Sequence, residues 1–287
     1  MNKIGIIGGS ALYEIEGLEI TKHVKVKTPF GSPSDEFSVG KLAGREVVFL
    51  PRHGRKHHLL PSEVNYRANM YAFKTLGVGR VLSVSAVGSL TEKVRPLDVL
   101  LVDQFIDRTN RGRNMTFFGE GIVAHVSFAD PVCKELSDIA YEANKHLNVA
   151  IHDGGTYINM EGPAFSTKAE SFLYKSWGAD VIGMTNIAEA RLAREAGICY
   201  ATIAMITDYD CWYETSGVEA VSVEMVMGNL KKNTEIAKEL IRNTVAALPD
   251  GASCECKNAL KHAILTPKEA VPSATLKKLK PIIEGFI

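Results

Sequence analysis

The sequence predicts an α/β fold: a single domain in which a central mixed β-sheet is flanked by helices. Short apolar runs rich in β-branched residues alternate along the chain with patterns of helical spacing. Such alternation is what helices packed on a largely parallel or mixed sheet produce. Several of the apolar runs also end in small, basic or acidic residues. Open α/β sheets collect their functional groups on loops of this kind, where the strands end.

In chain order, residues 4–7, 47–50, 81–84, 99–102, 181–183 and 198–207 read as buried strands, and 61–76, 131–146, 168–177 and 187–196 as helices. From Ser222 onward, Val223, Val226, Met227, Leu230, Ala237, Leu240, Ile241 and Thr244 recur at three- and four-residue spacing, giving one apolar stripe on a long helix. Leu248, Pro249, Asp250 and Gly251 end it. Residues 1–250 are expected to form the domain. Residues 251–287 are too short for a second one and are expected to pack on the body or on a neighbouring subunit.

The chain has 287 residues, enough to bury a sizeable core without staples. Lys+Arg and Asp+Glu both number 33, so no basic excess argues for nucleic acid and no acidic excess for a disordered tail. The start, MNKIGIIGGSAL, reads as a first strand and not as a secretory signal, because Gly8 and Gly9 break its apolar run. No run approaches the roughly 18 apolar residues of a membrane span. A cytoplasmic protein is expected. The five cysteines, Cys133, Cys199, Cys211, Cys254 and Cys256, fit buried free thiols, but the CxC pair raises a disulfide as an alternative. Zinc is a third option, weakened because no second Cys/His pair sits at ligand spacing.

Five segments could carry chemistry. In GIIGGSALY (5–13), paired glycines and Ser10 let backbone N–H groups and a hydroxyl approach an anion, although a plain tight turn needs the same residues. It has neither dinucleotide-fingerprint spacing nor the Gly-Lys-Ser/Thr of a Walker loop. In FLPRHGRKHH (49–58), Arg52 and His53 at a strand end could grip an oxyanion with a fork and a ring donor, or simply be a solvated basic loop. SVSAVGSL (83–90) offers hydroxyls and amides at a third strand end. GGTYINMEGPAFST (154–167) contains Phe165, a stacking surface for a flat heterocycle or an ordinary core aromatic; Met160 and, in DVIGMT (180–185), Met184 default to packing.

IAMITDYDCW (203–212) presents Asp208 and Asp210 at the end of an apolar strand, on one side if the strand continues. Desolvation and mutual repulsion should keep at least one protonated near neutral pH. Metal ligands or helix caps would use the same residues. A neutral carboxylic acid suits a leaving group that needs a proton, such as a purine N7.

Taken together, GIIGGSALY, TPFGSPSD (28–35), LPRHGRKH (50–57), PSEVNYRANMYAFKTLG (61–77), SAVGSL, VDQFIDRT (102–109), EGPAFST (161–167), DVIGMT and TDYDCW (207–212) resemble the 5′-methylthioadenosine phosphorylases, within the trimeric purine nucleoside phosphorylase group. The resemblance runs from residue 4 to about 246. The tail matches loosely, most like archaeal members with a CxC pair.

The resemblance implies a purine nucleoside phosphorylase-like fold and a phosphate site from Ser10, Arg52, His53, Ser85, Ala86 and Thr185. It implies Phe165 against the adenine, Ser166 among the substrate-binding residues, Asp208 on N7 and Asp210 on the 6-amino group. Met184 would contact the ribose, and His125 would lie near the sugar or the subunit boundary. Val223 and Val226 would line a methylthio pocket. It further implies a homo-oligomer, trimer or hexamer, with a nucleoside and inorganic phosphate as substrates and no cofactor, metal, membrane or nucleic-acid partner.

The sequence departs from the family pattern at a few positions. Ala11 and Ala188 stand where many members have glycine and proline, and Ser10 and Ser85 keep the hydroxyl of threonines found in some relatives. The implied reaction converts 5′-methylthioadenosine and phosphate into adenine and 5-methylthioribose 1-phosphate. A phosphorylase preferring 6-oxopurines and a non-catalytic nucleoside-binding protein are the alternatives. Asp210 and Val223 weigh against the first. Arg52, His53, Thr185 and Asp208 weigh against the second.

Overall fold

The structure, a computed structural model, describes residues 3–9, 12, 15–110, 112–213, 223–251 and 254–287, with 223–227 described by their backbone alone. Its strands are β1 (Lys3–Gly8), β2 (Glu19–Val24), β3 (Phe37–Leu42), β4 (Arg45–Pro51), β5 (Val78–Ser89), β6 (Val99–Val102), β7 (Gln104–Arg108), β8 (Ile151–Asp153), β9 (Thr156–Met160), β10 (Val181–Gly183) and β11 (Cys199–Asp208). The helices are α1 (Tyr66–Thr75), α2 (Lys134–Asn144), α3 (Lys168–Ser176), α4 (Asn186–Glu195), α5 (Val223–Ala247) and α6 (Ser273–Ile283). The strands join one mixed sheet in the order β2-β3-β4-β1-β5-β10-β9-β7, and β11 pairs with both β5 and β6.

Alternation along the central strands explains the two-faced core. In β11, Tyr200 packs with Met70, Phe73, Ala190 and Leu192 on the face covered by α1, α4 and α6. Cys199, Ala201, Ile203 and Met205 point the other way, against Leu136, Leu240 and Ile241 of α2 and α5. Each large side chain buried here stabilises the fold by roughly 1.5–3 kcal/mol. The sheet and α1 approach closely at Gly5, where a Cβ would sit 2.8 Å from Val81 Cγ2 and 3.0 Å from Phe73 Cε1.

The expected strands and helices are present, with revised ends. Residues 61–65 make a turn in place of the first turn of a helix. α1 starts only at Tyr66, where the Asn65 side chain accepts from Ala68 N (3.1 Å). α3 begins behind a reciprocal cap, Glu170 N to Thr167 Oγ1 and Thr167 N to Glu170 Oε2. Five strands have no counterpart in the apolar runs: β2, β3, β7, β8 and β9. β2 is almost wholly exposed, so pairing with β3 holds it in place of a hydrophobic pattern, and β7 is too short and mixed to show one although its Phe105 packs on Tyr157.

After α5 the chain crosses back over the body. Ala124 bridges Ile264, His125 N donates to Ala263 O (2.9 Å), and Tyr71 Oη donates to Lys278 O (3.1 Å). Leu279, Ile282 and Ile283 of α6 are buried in the same cluster as Met70 and Phe73. Among the described residues, no helix is long and apolar enough to cross a membrane.

Candidate active site

The pairing of β5 opens the site. One edge of β5 pairs with β1 as far as Ser83 and is next paired at Gly88, by β10. Between them Val84–Val87 face a cavity of about 500 Å³, while β11 follows the other edge. Arg52, His53, Ser85, Ala86, Phe165, Met184, Thr185, Asp208 and Asp210, all expected in the site, line that cavity.

One end suits an anion. Arg52 is buried at the end of β4. It donates to Glu189 through Nε (2.6 Å) and Nη2 (3.1 Å), to Ser83 Oγ through Nη2 (2.6 Å) and to Val84 O through Nη1 (2.9 Å). A guanidinium has five N–H donors. Only one, on Nη1, is left without a partner among the described residues. Burial opposes the charge on Arg52, but Glu189 outweighs it and holds the group protonated. Glu189 is itself saturated, since it also accepts from Ser83 Oγ (2.7 Å) and Tyr200 Oη (2.8 Å).

His53 corrects the expectation of a ring donor. Its Nδ1 lies 2.9 Å from Leu59 O, and a carbonyl only accepts, so Nδ1 carries the hydrogen. The neutral ring therefore offers Nε2 as an acceptor. Burial, and then the charge of Arg52, lower its pKa to about 4. The ring stacks on His57 with centroids 4.8 Å apart. Nearby, Ser85 Oγ (2.7 Å) and Thr185 Oγ1 (3.2 Å) both donate to Asn186 Oδ1 at the start of α4. Their hydroxyls are thus pre-positioned and can turn a hydrogen toward an arriving anion.

The other end holds the two acids. The strand does not continue through them, as simple alternation assumed. The register of β11 shifts between Ile206 and Asp208, a bulge with Thr207 as the extra residue. Asp210 follows in a short turn with φ of 52°. The bulge and turn aim both carboxyls into one cavity. Asp208 Oδ1 accepts from Asp210 N (2.8 Å), and Gly88 makes room: a Cβ there would lie 2.9 Å from that oxygen.

Thr207 Oγ1 lies 2.6 Å from Asp208 Oδ2 and 3.1 Å from Val87 O. A hydroxyl has one hydrogen. A protonated Asp208 satisfies both contacts, donating to Thr207 while Thr207 donates to Val87. Burial pushes the Asp208 carboxyl up from its ordinary range, against the contacts with Thr207 and the Asp210 amide, which favour the charged form. Burial raises that of Asp210 too, opposed by the Ser171 hydroxyl; an ionised Asp208 beside it would raise it further. Ser171 Oγ donates to Asp210 Oδ2 at 2.5 Å.

Other expected residues fall elsewhere. Ser166 is outside the cavity lining; its hydroxyl faces Met160 Sδ (3.7 Å) and helps favour the charged form of Asp210. His125 lines a separate cleft of about 970 Å³, so within this chain it does not meet the sugar side of the cavity. Ser10 and the side chains of Val223 and Val226 lie outside the described residues. Glu189, Asn186, Ser171 and Gly88 were not foreseen. Glu189 had one legible sign, an acid on the buried face of an apolar helix.

A sequence model of the phosphorylase superfamily matches residues 3–246. A relative from Geobacter sulfurreducens, an S-methyl-5′-thioadenosine phosphorylase, is 56% identical over 284 residues, covering 99% of each chain. This chain belongs to the S-methyl-5′-thioadenosine phosphorylases of that superfamily. Among solved structures, methylthioadenosine phosphorylase from an antarctic soil metagenomic library is 48% identical, with a TM-score of 0.92 and 98% of both chains covered. The Schistosoma mansoni methylthioadenosine phosphorylase in complex with adenine is 36% identical, with a TM-score of 0.84 over 90% of this chain and 96% of that one. The superfamily match stops before the tail, but the match to the Geobacter phosphorylase runs through it.

Proposed function

We infer that the protein catalyses phosphorolysis of 5′-methylthioadenosine to adenine and 5-methylthioribose 1-phosphate, a step of methionine and purine salvage. The observation that carries this reading is the pairing, in one cavity, of an anion-holding end with two buried acids, Asp208 and Asp210, at the other. Hydrogen phosphate sits between the free Nη1–H of Arg52, the Ser85 and Thr185 hydroxyls and the Ala86 amide, with Ser10 completing the set. Holding it in line removes an entropy cost of several kcal/mol. His53 Nε2 accepts the P–O–H hydrogen, which turns an unprotonated phosphate oxygen toward C1′.

As the glycosidic bond breaks, the phosphate charge stabilises the oxocarbenium-like sugar. Asp208 turns its hydrogen from Thr207 to N7 and donates the proton to the departing adenine, worth about 10² to 10⁴ in rate. The proton lost by phosphate on forming the sugar phosphate finally restores Asp208, so the reaction closes without a cofactor. Asp210 accepts from the 6-amino group; a 6-oxopurine would set oxygen against carboxylate. Phe165, half-exposed at the cavity wall, covers the base, and Met184 meets the ribose.

The resemblance assigns an apolar 5′ pocket to Val223 and Val226; in such a pocket methylthio gains roughly 1–2 kcal/mol. A 5′-hydroxyl would be left unpaired there at about 1–3 kcal/mol. Methylthioadenosine is therefore preferred over adenosine, and both over inosine. The enzyme is read as a cytoplasmic homo-oligomer, trimer or hexamer, with His125 at the subunit boundary. Exposed Val123 and Leu265 beside it support such a contact, and light scattering tests it.

The reaction is tested by incubating the protein with methylthioadenosine, adenosine or inosine, with and without phosphate, and assaying released base. Absence of phosphate-dependent adenine release from methylthioadenosine overturns the reading.

A further inference from the structure

Four of the five cysteines meet at a place the proposed reaction does not use. Cys133 precedes α2, Cys199 opens β11, and Cys254 and Cys256 begin the tail. Their Sγ atoms all lie within 4.8 Å of one another, and all four are free thiols. Cys199 Sγ and Cys254 Sγ are 3.1 Å apart, well beyond a disulfide bond of about 2.05 Å. The second pair of ligands that the sequence lacked at short spacing is supplied by the fold: Cys133 N donates to Tyr200 O (2.8 Å), which seats Cys133 against the start of β11.

We propose that Cys133, Cys199, Cys254 and Cys256 form a structural site for one tetrahedral, thiolate-bound divalent cation of the zinc class. With Zn–S near 2.3 Å, a regular tetrahedron has sulfur–sulfur edges of about 3.8 Å, within the spread found here. Four sulfur donors suit zinc over the hard cations, which take oxygen. Cys133 and Cys199 are buried, while Cys254 and Cys256 are partly exposed, and Cys133, Cys254 and Cys256 border the 970 Å³ cleft. The cleft is a path of entry for the ion.

With four protein ligands the ion has no open position, so it builds structure and performs no catalysis. Asp208 stands at the opposite end of β11, roughly 30 Å away at about 3.3 Å per residue. Binding displaces the thiol protons and transfers no electrons. Its effect is to pin the start of the tail to α2 and β11, just before residues 263–265 pair beside His125 and α6 returns to the core.

The test is metal analysis of the whole protein, expressed with zinc and purified under reducing conditions without chelator. Mass spectrometry of metals should find about one zinc per chain. Cys254→Ser/Cys256→Ser should lose it, and Cys211→Ser, outside the cluster, should keep it. Reconstitution with Co²⁺ should give intense visible d–d bands and a near-ultraviolet thiolate-to-cobalt band, both absent in the double variant. The metal-free protein should melt at a lower temperature than the loaded one. A zinc-free wild-type chain whose thiols titrate freely overturns the proposal. So does an intact mass lighter than the reduced chain by the hydrogens of one or two disulfides, or a weak cobalt spectrum of octahedral type.

Discussion

Arg52 and Glu189 form a buried two-pronged ion pair, Nε to Oε1 at 2.6 Å and Nη2 to Oε2 at 3.1 Å. Glu189 makes no hydrogen bond toward the cavity among the described residues, yet it decides which guanidinium hydrogen faces it. The pair joins β4 to α4, and removing one partner strands a charge in the core.

Glu189→Gln should therefore raise the KM for phosphate at least tenfold, with a smaller change in the KM for nucleoside. Stability should fall by about 3–5 kcal/mol. Phosphate-dependence kinetics and urea unfolding check both. Arg52→Lys should raise the phosphate KM as well, because a single ammonium cannot engage Glu189 as a fork and also present a fixed donor.

Asp208→Asn should lower kcat by about 10² to 10⁴ with the fold intact by circular dichroism. The raised pKa of Asp208 sets the sign of the pH effect. Its active form is the protonated one, so kcat should fall as pH rises through that pKa in the substrate complex. The variant should lose this alkaline limb. A kcat unchanged by the substitution would exclude Asp208 as the acid.

Gly88→Ala should cost turnover more than stability. The added methyl would stand 2.9 Å from Asp208 Oδ1 and 3.1 Å from Ile182 Cγ2, so the carboxyl must move. A ten- to hundredfold loss in kcat is expected, on the order of what a misplaced catalytic group costs. Steady-state kinetics beside thermal melting separate the two effects.

Two buried groups should pull the stability–pH curve in opposite directions. His53 has a folded pKa of about 4 against an ordinary 6.5, so its contribution is present above pH 6.5 and is lost as pH falls through 4. Glu195, pushed up by burial to about 7 from 4.5, contributes fully below pH 4.5 and loses that contribution as pH rises through 7. Urea unfolding between pH 4 and 7.5 should show the variants diverging. Relative to the wild type, Glu195→Gln should lose stability on acidification from pH 7 to 4.5, and His53→Gln should gain it on acidification from pH 6.5 to 4.

Much of this protein was legible in its sequence, because the signals were local. Apolar runs of strand length and three- and four-residue helical spacing report which side of an element is buried, and they placed the central strands and most helices. TDYDCW already showed two acids leaving an apolar strand, and its company of small and basic strand ends suggested an anion beside a leaving group that needs a proton; the family resemblance made these phosphate and a purine. The tertiary structure decided the rest. The bulge at Thr207 and the left-handed backbone of Asp210 depend on the register of β11 against β5, which no local pattern encodes. Arg52 meets Glu189 across 137 residues, and Cys199 meets Cys254 across 55. Composition names such groups, but only the packing of distant segments desolvates them, pairs them and gives them a direction. TDYDCW thus supplied the acids, and the fold alone aimed them both into one cavity.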